Sequence, residues 1–134
     1  MKKYILVTGA SSGIGRQTVV ELAKNSSYII FATIRKREDK ALIERVSKNV
    51  KGVYLDITNK ASVLKALKFI TSKTKVLDVI VNSAGIVTAG PLELLNINDI
   101  KNQFEVNTFG PLFLFQTFLP ILNKNGKIIN INSM

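Results

Sequence analysis

Residues Thr8 to Gly15 read Thr-Gly-Ala-Ser-Ser-Gly-Ile-Gly, between an apolar run from Tyr4 to Thr8 and a helical pattern that opens at Gly13. No other feature restricts the fold as much. A strand that turns directly into a helix points the first backbone N–H groups and the positive end of the helix dipole at whatever lies in front of them, and an anion suits that place. Gly9 lets the strand turn tightly, Gly13 lets backbone approach a ligand without a Cβ in the way, and Gly15 lets the new helix lie close on the sheet. Ser11, Ser12 and Ile14 complete the turn and contribute N–H groups or hydroxyls to the same site. A phosphate is the expected ligand, and the Gly-x-x-x-Gly-x-Gly spacing differs from the commoner Gly-x-Gly-x-x-Gly form.

The rest of the chain alternates in the same manner. Tyr4 to Thr8, Tyr28 to Thr33, Gly52 to Leu55, Val76 to Asn82 and Lys127 to Ile131 are short apolar, β-branched runs that read as strands. Between them, Gly13 to Lys24, Glu38 to Lys48, Lys60 to Lys73 and a long segment from Ile97 to Leu122 carry apolar residues at three- and four-residue spacing. Strands alternating with helices predict a parallel α/β sheet, doubly wound, with helices on both faces and strands buried on both sides. Residues 1–134 form one domain, without repeats or linkers. For 14.8 kDa, area scaling gives a folded surface of about 7,000 Å².

Composition excludes several chemistries. The chain has no His and no Cys, so imidazole bases, thiolate nucleophiles and the usual zinc sites are out, and no metal is expected. A cysteine-free chain suits a reducing compartment, and Lys2-Lys3 is followed by too short an apolar run to be an export signal, so a cytoplasmic location is expected. No stretch approaches the length of a membrane span, and no membrane partner is expected. The net charge of +10 is spread along the chain apart from Arg35-Lys36-Arg37, without interleaved aromatics, so nucleic acid is not the expected partner.

Four further stretches accompany the glycine-rich turn: Leu55-Asp56-Ile57-Thr58, Val81-Asn82-Ser83-Ala84-Gly85, Glu105-Val106-Asn107-Thr108-Phe109-Gly110, and Lys127-Ile128-Ile129-Asn130-Ile131-Asn132-Ser133. Taken in this order across the chain, they resemble the motifs of the short-chain dehydrogenase/reductase family. The resemblance implies a Rossmann sheet of about five strands, a nicotinamide cofactor, and hydride transfer to or from a small carbonyl or alcohol substrate. It places Gly9, Ser11, Ser12, Gly13, Ile14, Gly15, Asp56, Ile57, Asn82, Ala84 and Gly85 at the cofactor. Ser83 stands where the family has a second Asn.

Carried over in the same way, Asn107 is the residue that holds a proton-relay water, and Ser133 orients the substrate oxygen. The family's Tyr-x-x-x-Lys pair is expected shortly beyond Ser133, whereas the chain given ends at Met134 and none of Tyr4, Tyr28 and Tyr54 has a Lys four residues later. The domain is therefore expected to be C-terminally incomplete, without its last strands. The alternative is a non-catalytic remnant that retains at most a dinucleotide site. The Ala-Thr-Ile-Arg wording at strand two resembles members acting on steroids, retinoids and other hydrophobic carbonyls.

Three positions have readings of their own. Pro111 has no N–H and leaves the carbonyl of Asn107 without its helical partner; the result is either a water site or simply a kink beside Gly110. Asp56 can accept from an adenine amino group or serve the turn before the helix at Lys60, where Thr58 and Asn59 are good caps. Arg35 stands twenty residues past Gly15, where an acid would accept from the ribose of NAD(H) and a cation would meet the 2′-phosphate of NADP(H), so NADP(H) is favoured. Finally, Phe104, Phe109, Phe113, Phe115 and Phe118 cover more of the long helix than one core-facing stripe needs. The excess face predicts a homo-oligomer through residues 100–122, or a surface that missing chain would cover.

Overall fold

Alternate residues of each strand face opposite sides, and in this chain both sides are apolar. The computed structural model describes residues 1–132. Its strands are β1 (Lys3–Val7), β2 (Tyr28–Ile34), β3 (Val50–Tyr54), β4 (Leu77–Asn82) and β5 (Leu122–Asn130). They form one parallel sheet in the order β3-β2-β1-β4-β5. Leu6, Phe31, Val53 and Ile80 belong to the core on one face, while Ile5, Val7, Ile30, Ala32, Ile34, Val50 and Val81 belong to the core on the other. Burial on both faces is why these runs read as continuous rather than alternating in hydropathy.

The helices divide between the two faces. Val19 of α1 (Gly13–Ala23) and Ile43 of α2 (Arg37–Glu44) enter the second core. Val63, Ala66 and Ile70 of α3 (Lys60–Thr71) enter the first, with Val106, Leu114 and Phe118 from the helical segment that follows β4. A buried side chain of this size contributes roughly 1.5–3 kcal/mol. The predicted doubly wound α/β architecture is the one observed.

The long helix expected from Ile97 to Leu122 is not regular. It runs as α4 (Ile97–Phe104), a π turn over Glu105–Phe109, α5 (Gly110–Phe118) and a tight 3₁₀ turn over Leu119–Ile121. The Gly110 N–H reaches back five residues to the Glu105 carbonyl, and Pro111 sits in the first turn of α5 with no N–H to offer. Gly110 also comes close to β3's continuation: a Cβ there would lie 2.7 Å from the Ile57 carbonyl oxygen.

The aromatic excess is smaller than the sequence suggests, because Phe118 is fully buried and Phe113 and Phe115 pack against the core. Phe104 and Phe109 remain exposed, at 53% and 54%. Two strand starts also differ by more than one residue. β3 begins at Val50 rather than Gly52, and β5 pairs from Leu122, with a register shift before Lys127 that the Asn-Lys-Asn-Gly wording hides. The accessible surface is 8664 Å², about a quarter above the scaling expectation for a compact chain of this mass. β5 and the segment after β4 account for much of the excess, since Ile128, Ile129, Val87, Leu92 and Leu94 are all exposed.

Candidate functional site

Every strand ends at one cleft. Gly9 follows β1, Arg35 follows β2, Asp56 comes just after β3, Ser83 follows β4 and Ile131 follows β5, and all five line a cavity of about 540 Å³. The chain runs outward from β1 through β2 to β3, then returns to β4 on the other side of β1. A crevice opens at such a switch point because the segments that follow the neighbouring strands β1 and β4 go to opposite faces of the sheet.

The glycine-rich turn forms one wall. Gly9 has φ +64° and approaches Ala84 so closely that a Cβ would lie 2.8 Å from the Ala84 Cα. A Cβ on Gly15 would overlap the Gly9 carbonyl oxygen. Gly13 differs, because it has φ +56° but nothing within 4 Å of where its Cβ would be. Left-handed backbone therefore faces open space at Gly13 and packed backbone at Gly9. Ser12 begins α1 with no side-chain capping bond, and no acid stands in the first turn, so the helix N-terminus meets the cleft without a built-in counter-charge. These features fit an extended anionic ligand, whose phosphates would take the N–H groups that Ser12 does not cap.

Hydrogen bonds fix the turn from beneath. The Thr8 hydroxyl, fully buried, donates to Asn82 Oδ1 at 2.9 Å and accepts from the N–H groups of Ser83 and Ala84, each at 3.1 Å. Asn82 Nδ2 donates onward to Asn130 Oδ1 at 3.1 Å. The Gly9 N–H donates to the Thr33 hydroxyl at 3.2 Å. β1, β2, β4 and β5 are thus tied together just under the cleft floor. Asn82 is part of this brace and does not line the cleft, unlike the other positions expected at the cofactor, all of which do.

Arg35 is exposed at the rim, on the far side of the turn from Gly85. The ion pair found among the described residues is Lys24–Glu21 at 2.7 Å, which holds the Glu21 carboxyl below its usual range through the lysine's hydrogen bond and charge; Glu21 does not line the cleft. Asp56 Oδ1 accepts from the N–H and hydroxyl of Thr58 at 2.9 and 2.7 Å. Asn59 caps α3 by accepting from the Ser62 N–H at 3.0 Å. Asp56 therefore does serve the local turn, while still facing the cleft. Ile57 both lines the cleft and enters the core.

Asn107, within the π turn, binds the segment after β4 through both its amide oxygen and its amide nitrogen. Its Oδ1 accepts from the Ile86 N–H at 2.9 Å and its Nδ2 donates to the Ile86 carbonyl at 2.7 Å. Gln103, one turn earlier, accepts from the Thr88 N–H. Neither partner is visible as a motif, although the Gly110-Pro111 pair signals the irregular turn that presents Asn107. Asn107 does not itself line the cleft, and Ser133 lies outside the described residues. None of Tyr4, Tyr28 and Tyr54 lines the cleft either.

The profile of the short chain dehydrogenase family matches residues 3–134. The chain belongs to the short-chain dehydrogenase family. It is 42% identical over 135 residues to 3-amino-tetrahydro-pyrrolizinone reductase of Xenorhabdus hominickii, covering 98% of this chain and 46% of that protein. With the NADPH-dependent 3-dehydrocapnine reductase of Ornithobacterium rhinotracheale it shares 34% identity over 140 residues, 98% of this chain and 49% of the other. Among solved structures, a short-chain dehydrogenase from Streptomyces avermitilis superposes with TM-score 0.89 at 29% identity, covering 99% of this chain and 50% of that one. NADPH-bound carbonyl reductase from chicken fatty liver superposes with TM-score 0.81 at 31% identity, covering 90% and 48%. The chain spans about half the length of the curated relatives it matches.

Proposed function

We propose that this chain forms the cofactor-binding part of a short-chain oxidoreductase that exchanges a hydride between NADP(H) and a small carbonyl or alcohol substrate. The observation that carries the reading is the cleft itself: a capless helix N-terminus and an open left-handed Gly13 on one wall, an exposed arginine on the next, at the sheet's switch point. The N–H groups of the Ser12–Gly15 turn hold the pyrophosphate. Arg35, with Ser11 opposite, binds the 2′-phosphate, and Asp56 accepts from the adenine amino group through the carboxylate capacity Thr58 leaves. Ala84 and Gly85 present backbone to the ribose side, on a strand end kept in place by the Thr8–Asn82–Asn130 brace. When bound, the nicotinamide supplies or accepts the hydride.

Asn107 holds the segment after β4 against the helix, and its main-chain carbonyl, which Pro111 cannot satisfy, is the acceptor for a relay water. Ser133 orients the substrate oxygen. The NADPH dependence stated for the Ornithobacterium enzyme and the NADPH bound by the chicken enzyme support the cofactor preference. The exposed Phe104, Phe109 and Leu112 are the face through which a second copy pairs, and a reducing cytoplasm suits a chain without cysteine.

The test is consumption of NADPH by the whole protein with a panel of ketones, alongside calorimetric titration of NADPH. Saturable binding with ketone-dependent oxidation is the expected result. Binding without oxidation on any ketone, or on any alcohol with NADP, identifies a nucleotide-binding remnant instead, and absence of binding refutes both.

A further inference from the structure

We propose that the outward face of α3 is a docking surface for an anionic lipid bilayer. Between Asp56 and Asp78 the chain carries five lysines and no acid. The other charged helices do not share this bias, since α1 carries Glu21 as well as Arg16, α2 carries Glu38, Asp39 and Glu44, and α4 carries Asp99 as well as Lys101. The helix itself accounts for only part of this: Lys68 suits the dipole in the last turn and Lys60 lies over the Phe113 ring, 5.2 Å from its centroid, but Lys65 has neither role and repels Lys68 three residues on.

The same face exposes apolar side chains. At about 100° per residue, Lys65 and Lys68 point directly outward, with Leu64 on one flank and Phe69 on the other. Leu64 is 52% exposed and Phe69 37%, and Val76 just beyond the helix is 42% exposed. Lysine stems ending in charge among exposed aliphatic and aromatic groups match the headgroup layer of a negatively charged membrane. A polynucleotide would use the lysines but has no place for Leu64. α3 starts beside Thr58 at the cleft rim and runs down the face of the sheet, so docking there leaves the cleft mouth open. The absence of a spanning helix among the described residues does not bear on surface docking, and the proposal does not depend on the cofactor reading.

Co-sedimentation of the purified protein with vesicles of phosphatidylcholine alone, or of equal parts phosphatidylcholine and phosphatidylglycerol, tests it. The protein should sediment with the anionic vesicles only. Each lysine at such a surface is worth about fivefold in partitioning, so Lys65→Glu with Lys68→Glu should lower it at least about 25-fold. Lys48→Glu with Lys101→Glu, which makes the same change in net charge elsewhere, should lower it less than about threefold, and Leu64→Ser should weaken it further without changing its salt dependence. Failure to bind anionic vesicles overturns the proposal, as does equal loss in the two charge-reversed pairs. Tighter retention by single-stranded RNA, lost in the Lys65/Lys68 pair and unchanged in Leu64→Ser, would assign the face to nucleic acid instead.

Discussion

Replacing Arg35 by Asp changes one exposed side chain that makes no ion pair among the described residues. Its structural cost is therefore that of an ordinary surface substitution, within about 0.5 kcal/mol. Its effect on the 2′-phosphate is much larger. A charge-assisted contact from guanidinium to phosphate is worth about 1.5–3 kcal/mol, or about 10- to 150-fold in Kd, and a carboxylate in its place adds repulsion. NADH has no phosphate there, and the new carboxylate can accept from its ribose hydroxyls. The ratio of Kd for NADPH to Kd for NADH should therefore rise by at least about 100-fold, with Tm nearly unchanged. Calorimetric titration of both cofactors on both proteins, with a thermal melt, measures this. An unchanged ratio at unchanged Tm would show that Arg35 does not read the phosphate.

Other outcomes follow from the packing. Gly9→Ala places a methyl 2.8 Å from the Ala84 Cα as well as straining φ, and should destabilise by about 2–4 kcal/mol; Gly13→Ala, with open space, should cost only the strain of about 1–2 kcal/mol while weakening NADPH binding. Paired urea melts and titrations separate the two. Asn107→Ala removes two hydrogen bonds to Ile86, a loss of about 1–3 kcal/mol, and should speed amide exchange at Ile86 and Thr88 before the strands are affected. In urea melts Phe118→Ala should cost about 3–5 kcal/mol and Val87→Ala less than about 0.5 kcal/mol, because the first is fully buried and the second 83% exposed.

The architecture was legible because strand and helix periods differ and the apolar runs keep to them. The cleft was legible because its glycines are adjacent in sequence and the other lining residues follow strand ends. What escaped depends on contacts between distant segments. The helical period from Ile97 to Leu122 is nearly regular, so it conceals a π turn whose stability rests on Pro111 and on the approach of Gly110 to Ile57. Phe113 and Phe115 read as surplus until α5 is seen lying beside α3 and the core. Asn82 carries a motif signal that cannot distinguish lining the cleft from bracing it, and its partner Asn130 lies 48 residues away. The half-buried Asn49 amide, whose Nδ2 is shared among the carbonyls of Ala23, Asn25 and Tyr28, has no sequence signature.

Backbone amide NMR during titration with NADPH most directly tests whether the cleft between β1 and β4 is the dinucleotide site. The largest saturable shifts should fall at Ser12 to Gly15, Arg35, Asp56, Ile57, Ala84 and Gly85, with α3 beyond Lys60 unmoved. Saturable shifts centred elsewhere, or none at all in a folded protein, would contradict the account.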